Sequence, residues 1–124
     1  MKYVDGFILA VPEKNLGEYT KMAQRGGEVW KRHGALEYFE CVGDDLGPPN
    51  AGIKFPQAVQ AAPGELVVFS FIVFNSRADR DRINAMVMKD PLMDEYKDKP
   101  MPFDLKRMAY GGFRVIVEER APAR

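Results

Sequence analysis

The sequence predicts an α+β fold, a four-stranded antiparallel sheet with two helices on one face, in the chain order β-α-β-β-α-β and the strand order 4-1-3-2. Three observations carry this. The stretch 66–74, within ELVVFSFIVFN, is apolar in both of its alternating sets and is broken only by Ser70. A strand half-exposed to water alternates apolar with polar, so this one is expected to be covered on both faces. The run at 3–11 is also apolar on both sides apart from Asp5 and Gly6. Right-handed crossovers place the third strand between the first and second, and the first beside the fourth. The two doubly apolar strands then become the central pair.

The first strand spans 3–11, with Tyr3, Phe7, Leu9 and Val11 on one side, and Pro12 stops it. A helix follows over 15–34. Asn15 is its expected cap, with Glu18 three positions later as in a capping box. Leu16, Tyr19, Met22, Ala23, Gly26, Val29, Trp30 and His33 recur at helical spacing and mark a buried face. Lys31 and Arg32 suit the negative end of the helix dipole, and Gly34 is the left-handed stop. The Gly26-Gly27 pair costs about 1 kcal/mol per glycine against alanine, which a kink or a close approach to the sheet would explain. The second strand, 35–43, carries more charge and reads as an edge.

A Gly- and Pro-rich link occupies 44–64, broken up by a short helical piece, PQAVQAA, opened by Pro56. After the central strand, Ser76 caps a second long helix that runs to about 89, with Ala78, Arg82, Ile83, Met86 and Val87 toward the sheet. Asp90-Pro91 ends it and starts one more turn, LMDEY. Residues 97–104 form an ordered arm around Pro100 and Pro102. The last strand spans 106–118, with Gly111-Gly112 marking a bulge or a close backbone contact. The chain is thus expected to form a single domain over 1–118 with a loose tail at 119–124.

Two helices cover one face of such a sheet. The other face keeps large apolar side chains, more than a monomer usually exposes. Burying that area stabilises by roughly 25 cal/mol per Å². Two-fold pairing of the faces, a homodimer packed sheet to sheet, is the expected cover. The alternative is the 44–64 link folding over its own sheet.

The stretches MKYVDGF, the HGA after the first helix, ECVGDD and above all PFDLKRMAYGGF resemble an uncharacterised YbaA-like family of small bacterial proteins. The resemblance runs from about residue 1 to residue 118. It implies a ferredoxin-like domain of the dimeric α+β barrel type, with no established activity. That superfamily includes cofactor-free monooxygenases, isomerases and haem enzymes, and fold does not choose among them. The family is at times linked to signal-recognition-particle RNA, which the charge of this chain does not support.

Basic and acidic residues balance at 18 each, and no basic block stands out. No electrostatic footprint for nucleic acid or an anionic membrane follows. No run approaches the ~20 apolar residues of a membrane span, and the N-terminus lacks the pattern of a signal peptide. Cys41, the single cysteine, cannot pair within the chain and fits a reducing cytoplasm. With one histidine and one cysteine a zinc site is not expected. No Gly-rich phosphate loop, Ser-His-Asp order or CxxC is present, and no cofactor is expected.

Candidate ligand-binding residues are Tyr3, Asp5, Trp30, His33, Cys41, Arg107 and Tyr110. His33 is either a general base at a pocket mouth or a helix-end residue favouring the dipole. The second reading is preferred, because no acid or nucleophile stands at a diagnostic spacing. Cys41 is either a reactive thiol or, as preferred, a small buried hydrophobe. Asp5 is either a cross-strand ion-pair partner of Arg114 or a buried acid that moves protons. Arg107 either grips an anionic ligand or, with Asp104, pins the arm. Asp44 and Asp45 offer too few oxygens for a divalent cation. Trp30, Tyr19 and Met22 read as core residues that an apolar pocket would share. The leading function is therefore binding of a small, partly apolar ligand between the first helix and the sheet. A non-catalytic interaction or stress-associated module using the link and the arm is the second. A cofactor-independent monooxygenase or isomerase is the third, by fold analogy alone.

Overall fold

Strand β1 (Tyr3–Pro12) pairs antiparallel with both β3 (Glu65–Phe74) and β4 (Ala109–Arg114), and β2 (Glu37–Val42) pairs antiparallel with β3. This is the computed structural model's only sheet among the described residues, 1–47 and 52–122. Its order, β2-β3-β1-β4, is the expected 4-1-3-2 read from the other edge. Helices α1 (Leu16–His33) and α3 (Arg77–Met88) provide the helical layer, and α2 (Phe55–Ala58) is the short piece opened at Pro56. The result is a ferredoxin-like α+β fold. Residues 48–51 of the expected link and 123–124 of the expected tail lie outside the described residues.

The punctuation of the helices is largely where the residues put it. Gly34 ends α1 with φ +119°, in the left-handed region that favours glycine. The Ser76 side chain accepts from the Asp79 N–H at 3.0 Å and starts α3. Asn15 departs from expectation. Glu13–Asn15 form a 3-10 turn leading into α1, and Asn15 makes no side-chain cap bond. Its Nδ2 instead donates to the Pro102 carbonyl at 3.1 Å, tying the start of α1 to the 97–104 arm. The Gly26-Gly27 pair is explained by close approach. A Cβ on Gly27 would stand 3.0 Å from the Tyr38 ring, and one on Gly26 3.4 Å from the Tyr38 hydroxyl.

The phase of α3 differs from the expected one. Ile83 and Val87 are buried, but Ala78, Arg82 and Met86 are exposed. Arg80 and Asn84 complete the inner stripe, because Asp5 lies beneath them and its carboxylate needs partners. The last strand is shorter than 106–118. Arg114 stands opposite Tyr3, and Val115 N–H reaches the Lys2 carbonyl, so the chain opposite runs out there. At its start, 105–107 form a 3-10 turn capped by the Asp104 carboxylate. Gly111 and Gly112 pair in register with Gly6 and Asp5, so there is no bulge. Gly112 marks a close approach instead: a Cβ there would stand 2.5 Å from the Tyr3 hydroxyl.

The helix-facing side of the sheet holds two packed clusters. Ile72, Phe74, Ile83, Val87, Val29 and Ala35 pack beneath α3. Leu9, Val11, Val68, Tyr19 and Ala23 pack at the N-terminal half of α1. Among the described residues, the opposite side is covered at one end only, where Leu46, Val59 and Ala61 of the link pack on Ala10, Val67 and Ile8. Beyond that, Phe39, Phe69 and Phe113 are 49%, 45% and 62% exposed. The rings of Phe39 and Phe69 lean on Phe71, with centroids 5.1 and 5.6 Å away. Cys41 shares this open side opposite Phe69 and is exposed. The expectation of a buried thiol is thereby corrected, since no described residue covers that part of the sheet.

Candidate functional site

Between α1 and the sheet, the two clusters do not close on each other. The reason is visible in the residues. Ser70 is the small polar break in β3, and Ala23 and Gly26 are the small residues above it. A cavity of about 220 Å³ remains, lined by these three and by Phe7, Leu9 and Ile72 of the sheet and Met22 and Trp30 of α1. Met93 and Tyr96 of the 91–96 turn, Met101 and Phe103 of the arm, and Met108 complete its roof and end. The Tyr19 and Phe103 rings meet edge to face at 5.7 Å, and Trp30 lies 6.1 Å from Tyr38.

Among the described residues, one charged group lines this apolar space, the carboxylate of Glu40 on β2. Tyr19 donates to its Oε1 at 2.7 Å and Tyr38 to its Oε2 at 2.8 Å. Burial, then the carboxylate beside them, pushes both tyrosine hydroxyls far above their ordinary value. They therefore stay protonated and act as fixed donors. Glu40 forms no ion pair among the described residues. Tyr19, Glu40 and Tyr38 also line an open groove along the outer edge of β2, so the three together form the partition between cavity and groove.

Of the seven sequence candidates, the structure puts Trp30 on the cavity wall. Its Nε1 donates to Asn84 Oδ1 at 2.9 Å, and Asn84 Nδ2 donates to Asp5 Oδ2 at 3.2 Å. Asp5 is 8% exposed, and its Oδ1 lies 3.4 Å from Arg80 Nε rather than near Arg114. Arg80 in turn donates to the Tyr3 hydroxyl at 3.0 Å and lies over the Tyr3 ring. Tyr3 and Asp5 are thus brought together under α3, outside the cavity lining, and Asp5 is linked to that lining through Asn84 and Trp30. His33 is elsewhere: its Nε2 lies 2.7 Å from Asp90 Oδ2, which also accepts from Arg32. Those bonds from Arg32, then from the Leu92 N–H and His33, hold the Asp90 carboxyl well below its usual range. Tyr110 is exposed and stacks on Phe7 at 6.2 Å. Cys41 lies on the open sheet face and edge. Among the described residues no group of three His, Cys, Asp or Glu side chains is placed to hold a metal ion.

Arg107 is fully engaged within the chain. It forms a two-pronged pair with Glu65, at 2.6 and 2.7 Å, and its Nε donates to Asp104 at 3.1 Å. The bonds from Arg107, then the Ala62 N–H, lower the Glu65 carboxyl from 4.5 to about 2. Because the folded value is the lower one, this pair stabilises the fold above pH 4.5, and its contribution disappears as pH falls through about 2. The melting temperature is expected to drop more steeply over that window in the natural chain than in Glu65→Gln. Equal slopes would contradict this.

Glu40 and Tyr38 were not among the sequence candidates. The signal was the parity of β2: Glu40 shares a side with Tyr38 and Val42, which puts a carboxylate on the helix-facing side of the sheet.

A protein family described as a protein of unknown function (DUF1428) matches residues 2–105. The uncharacterized protein YbaA of Escherichia coli strain K12 is 44% identical over 119 residues, 96% of this chain and all of that one. Among solved structures, Rv0793 from Mycobacterium tuberculosis is similar with a TM-score of 0.58 and 12% identity, over 97% of this chain and 100% of that one. A dimeric ferredoxin-like protein from an uncultured marine organism is similar with a TM-score of 0.57 and 13% identity, over 96% and 100%. At such identities the two structures speak for the fold alone. No helix among the described residues is long and apolar enough to cross a membrane. The match over most of the chain and the identity to YbaA show that the chain belongs to the DUF1428 family of unknown function.

Proposed function

We propose that this protein is a homodimer that binds a small, largely apolar molecule in the cavity between α1 and the sheet. The observation that carries the binding site is that cavity, walled by methionine and aromatic side chains, with a single carboxylate held in place by two tyrosine donors. Ligand sites are typically apolar hollows with a few fixed polar groups. An apolar cavity of about 150 Å³ already accepts benzene, so this one suits a single ring with a short substituent. Methionines lend the wall an adaptable shape.

Dimer formation is supported by the open face around Phe39, Phe69 and Phe113 and by the dimeric ferredoxin-like protein of similar fold. The described part of the link covers the far end of that face, and the exposed aromatic part is the surface a second copy would take. Cavity and open face lie on opposite sides of one sheet, so ligand binding and self-association do not compete. A reading as an interaction module through link and arm finds less support, because Leu46 and Val59 of the link and Phe103 of the arm pack against their own domain. The lone exposed thiol fits a cytoplasmic location.

Ser70→Leu fills the floor of the cavity with an apolar side chain. The expected result is a folded protein whose Trp30 fluorescence no longer responds to 2-phenylethanol, to which the natural chain responds. A natural chain that responds no more than Ser70→Leu does would refute the site.

A further inference from the structure

We infer that the molecule this cavity takes is an organic cation, an amine carried on a one-ring or short aliphatic body. This rests on the cavity being a ligand site and adds the charge of the ligand.

The reasoning starts from the polar inventory of the wall. Among the described lining residues, no lysine, arginine or histidine is present, and Glu40 is the one ionisable carboxyl. Its two oxygens each accept one tyrosine hydroxyl, and neither pairs with a cation among the described residues. A carboxylate oxygen accepts more than one hydrogen bond, so capacity remains for a donor brought by the ligand. A carboxylate beside apolar surface favours a positive partner over a neutral one and repels an anion. The rings of Phe7, Trp30, Tyr38 and Phe103 add a second preference of the same sign, because the faces of aromatic rings attract cations. The outer groove on the far side of the Glu40 partition adds Glu28 and Glu37 against Lys31 alone, so the surroundings of Glu40 are acidic as well. Tyr19 and Tyr38 act as positioning residues: as fixed donors they hold the carboxylate at the boundary of the cavity.

The test uses the natural full-length chain and Trp30, its one tryptophan, as the reporter. Three molecules with the same ring and similar reach are titrated: 2-phenylethylammonium, 2-phenylethanol and 3-phenylpropionate. The amine is expected to bind about tenfold more tightly than the alcohol, and the carboxylate about tenfold more weakly than the alcohol or not at all. Glu40→Gln is expected to remove the amine's advantage and bring amine and alcohol to equal affinity. If Glu40→Gln does not fold, the ranking in the natural chain decides alone. Alcohol binding as tight as the amine, or a preference for the carboxylate, overturns the cationic ligand and leaves the cavity as a site. No response to any of the three overturns both.

Discussion

Phe69→Glu is expected to leave a folded chain of 14.0 kDa that no longer pairs with itself. Phe69 is 45% exposed on the side of the sheet away from the helices, between Cys41 of β2 and Ile8 of β1. Its ring rests against Phe71 and on no helix. Replacing an exposed side chain of this kind costs the monomer little, about 0.5 kcal/mol. In a two-fold pair the same change occurs twice, putting two carboxylates into an apolar contact. Like charges brought together in an interface cost several kcal/mol. A penalty of about 4 kcal/mol corresponds to a dissociation constant raised roughly a thousandfold. Sedimentation equilibrium reads the change directly, and unchanged circular dichroism shows that the fold survives. Phe69→Leu keeps the apolar contact and is expected to stay paired. Equal masses for Phe69→Glu and the natural chain would mean that this face does not join two copies.

Asp5→Ala carries the largest expected loss of stability. The carboxylate sits in a central strand at 8% exposure, between Asn84 and Arg80. Its removal leaves the Arg80 guanidinium, 22% exposed, without its buried counter-charge, and strips the Asn84 amide of its acceptor. Breaking one partner of a buried pair costs about 3–5 kcal/mol. Arg80 keeps Asp81 and the Tyr3 hydroxyl, so the low end, about 3 kcal/mol, is expected. At roughly 4 °C per kcal/mol for a chain of this size, the melting temperature should fall by about 12 °C. Asp5→Asn keeps an acceptor for Asn84 and should cost about half as much. Trp30 hydrogen-bonds the same Asn84, so its emission should shift in Asp5→Ala. An unchanged melting temperature would show that the Asp5–Arg80–Asn84 cluster is not structural.

The strand order was legible because only a central strand can afford apolar side chains in both alternating sets, and just two runs have them. Helix ends were legible where one residue decides them, as at Gly34 and Ser76. The inward phase of α3 was not legible. Arg80 and Asn84 look like surface residues until Asp5, distant in the sequence, is placed beneath them. The last strand was overestimated for a similar reason: Ile116 and Val117 have strand-like side chains, but β1 offers no residue for them to pair with. Trp30 was found because its helical spacing places it on the buried face. Glu40 was passed over because charge in an edge strand usually means solvent, and only the two tyrosines in space give it another meaning. Arg107 stood out as a dense polar cluster, yet Glu65, its stronger partner, lies 42 residues away in the chain.

The central claim is that the two sides of one sheet have separate tasks, a ligand on the helix side and a twin on the other. Native mass spectrometry of the natural chain with 2-phenylethylammonium tests both at once. The account predicts a species of twice 14.0 kDa that carries one amine per chain at saturation, two in all. A single chain under these conditions, or a pair that never carries more than one amine, would contradict it.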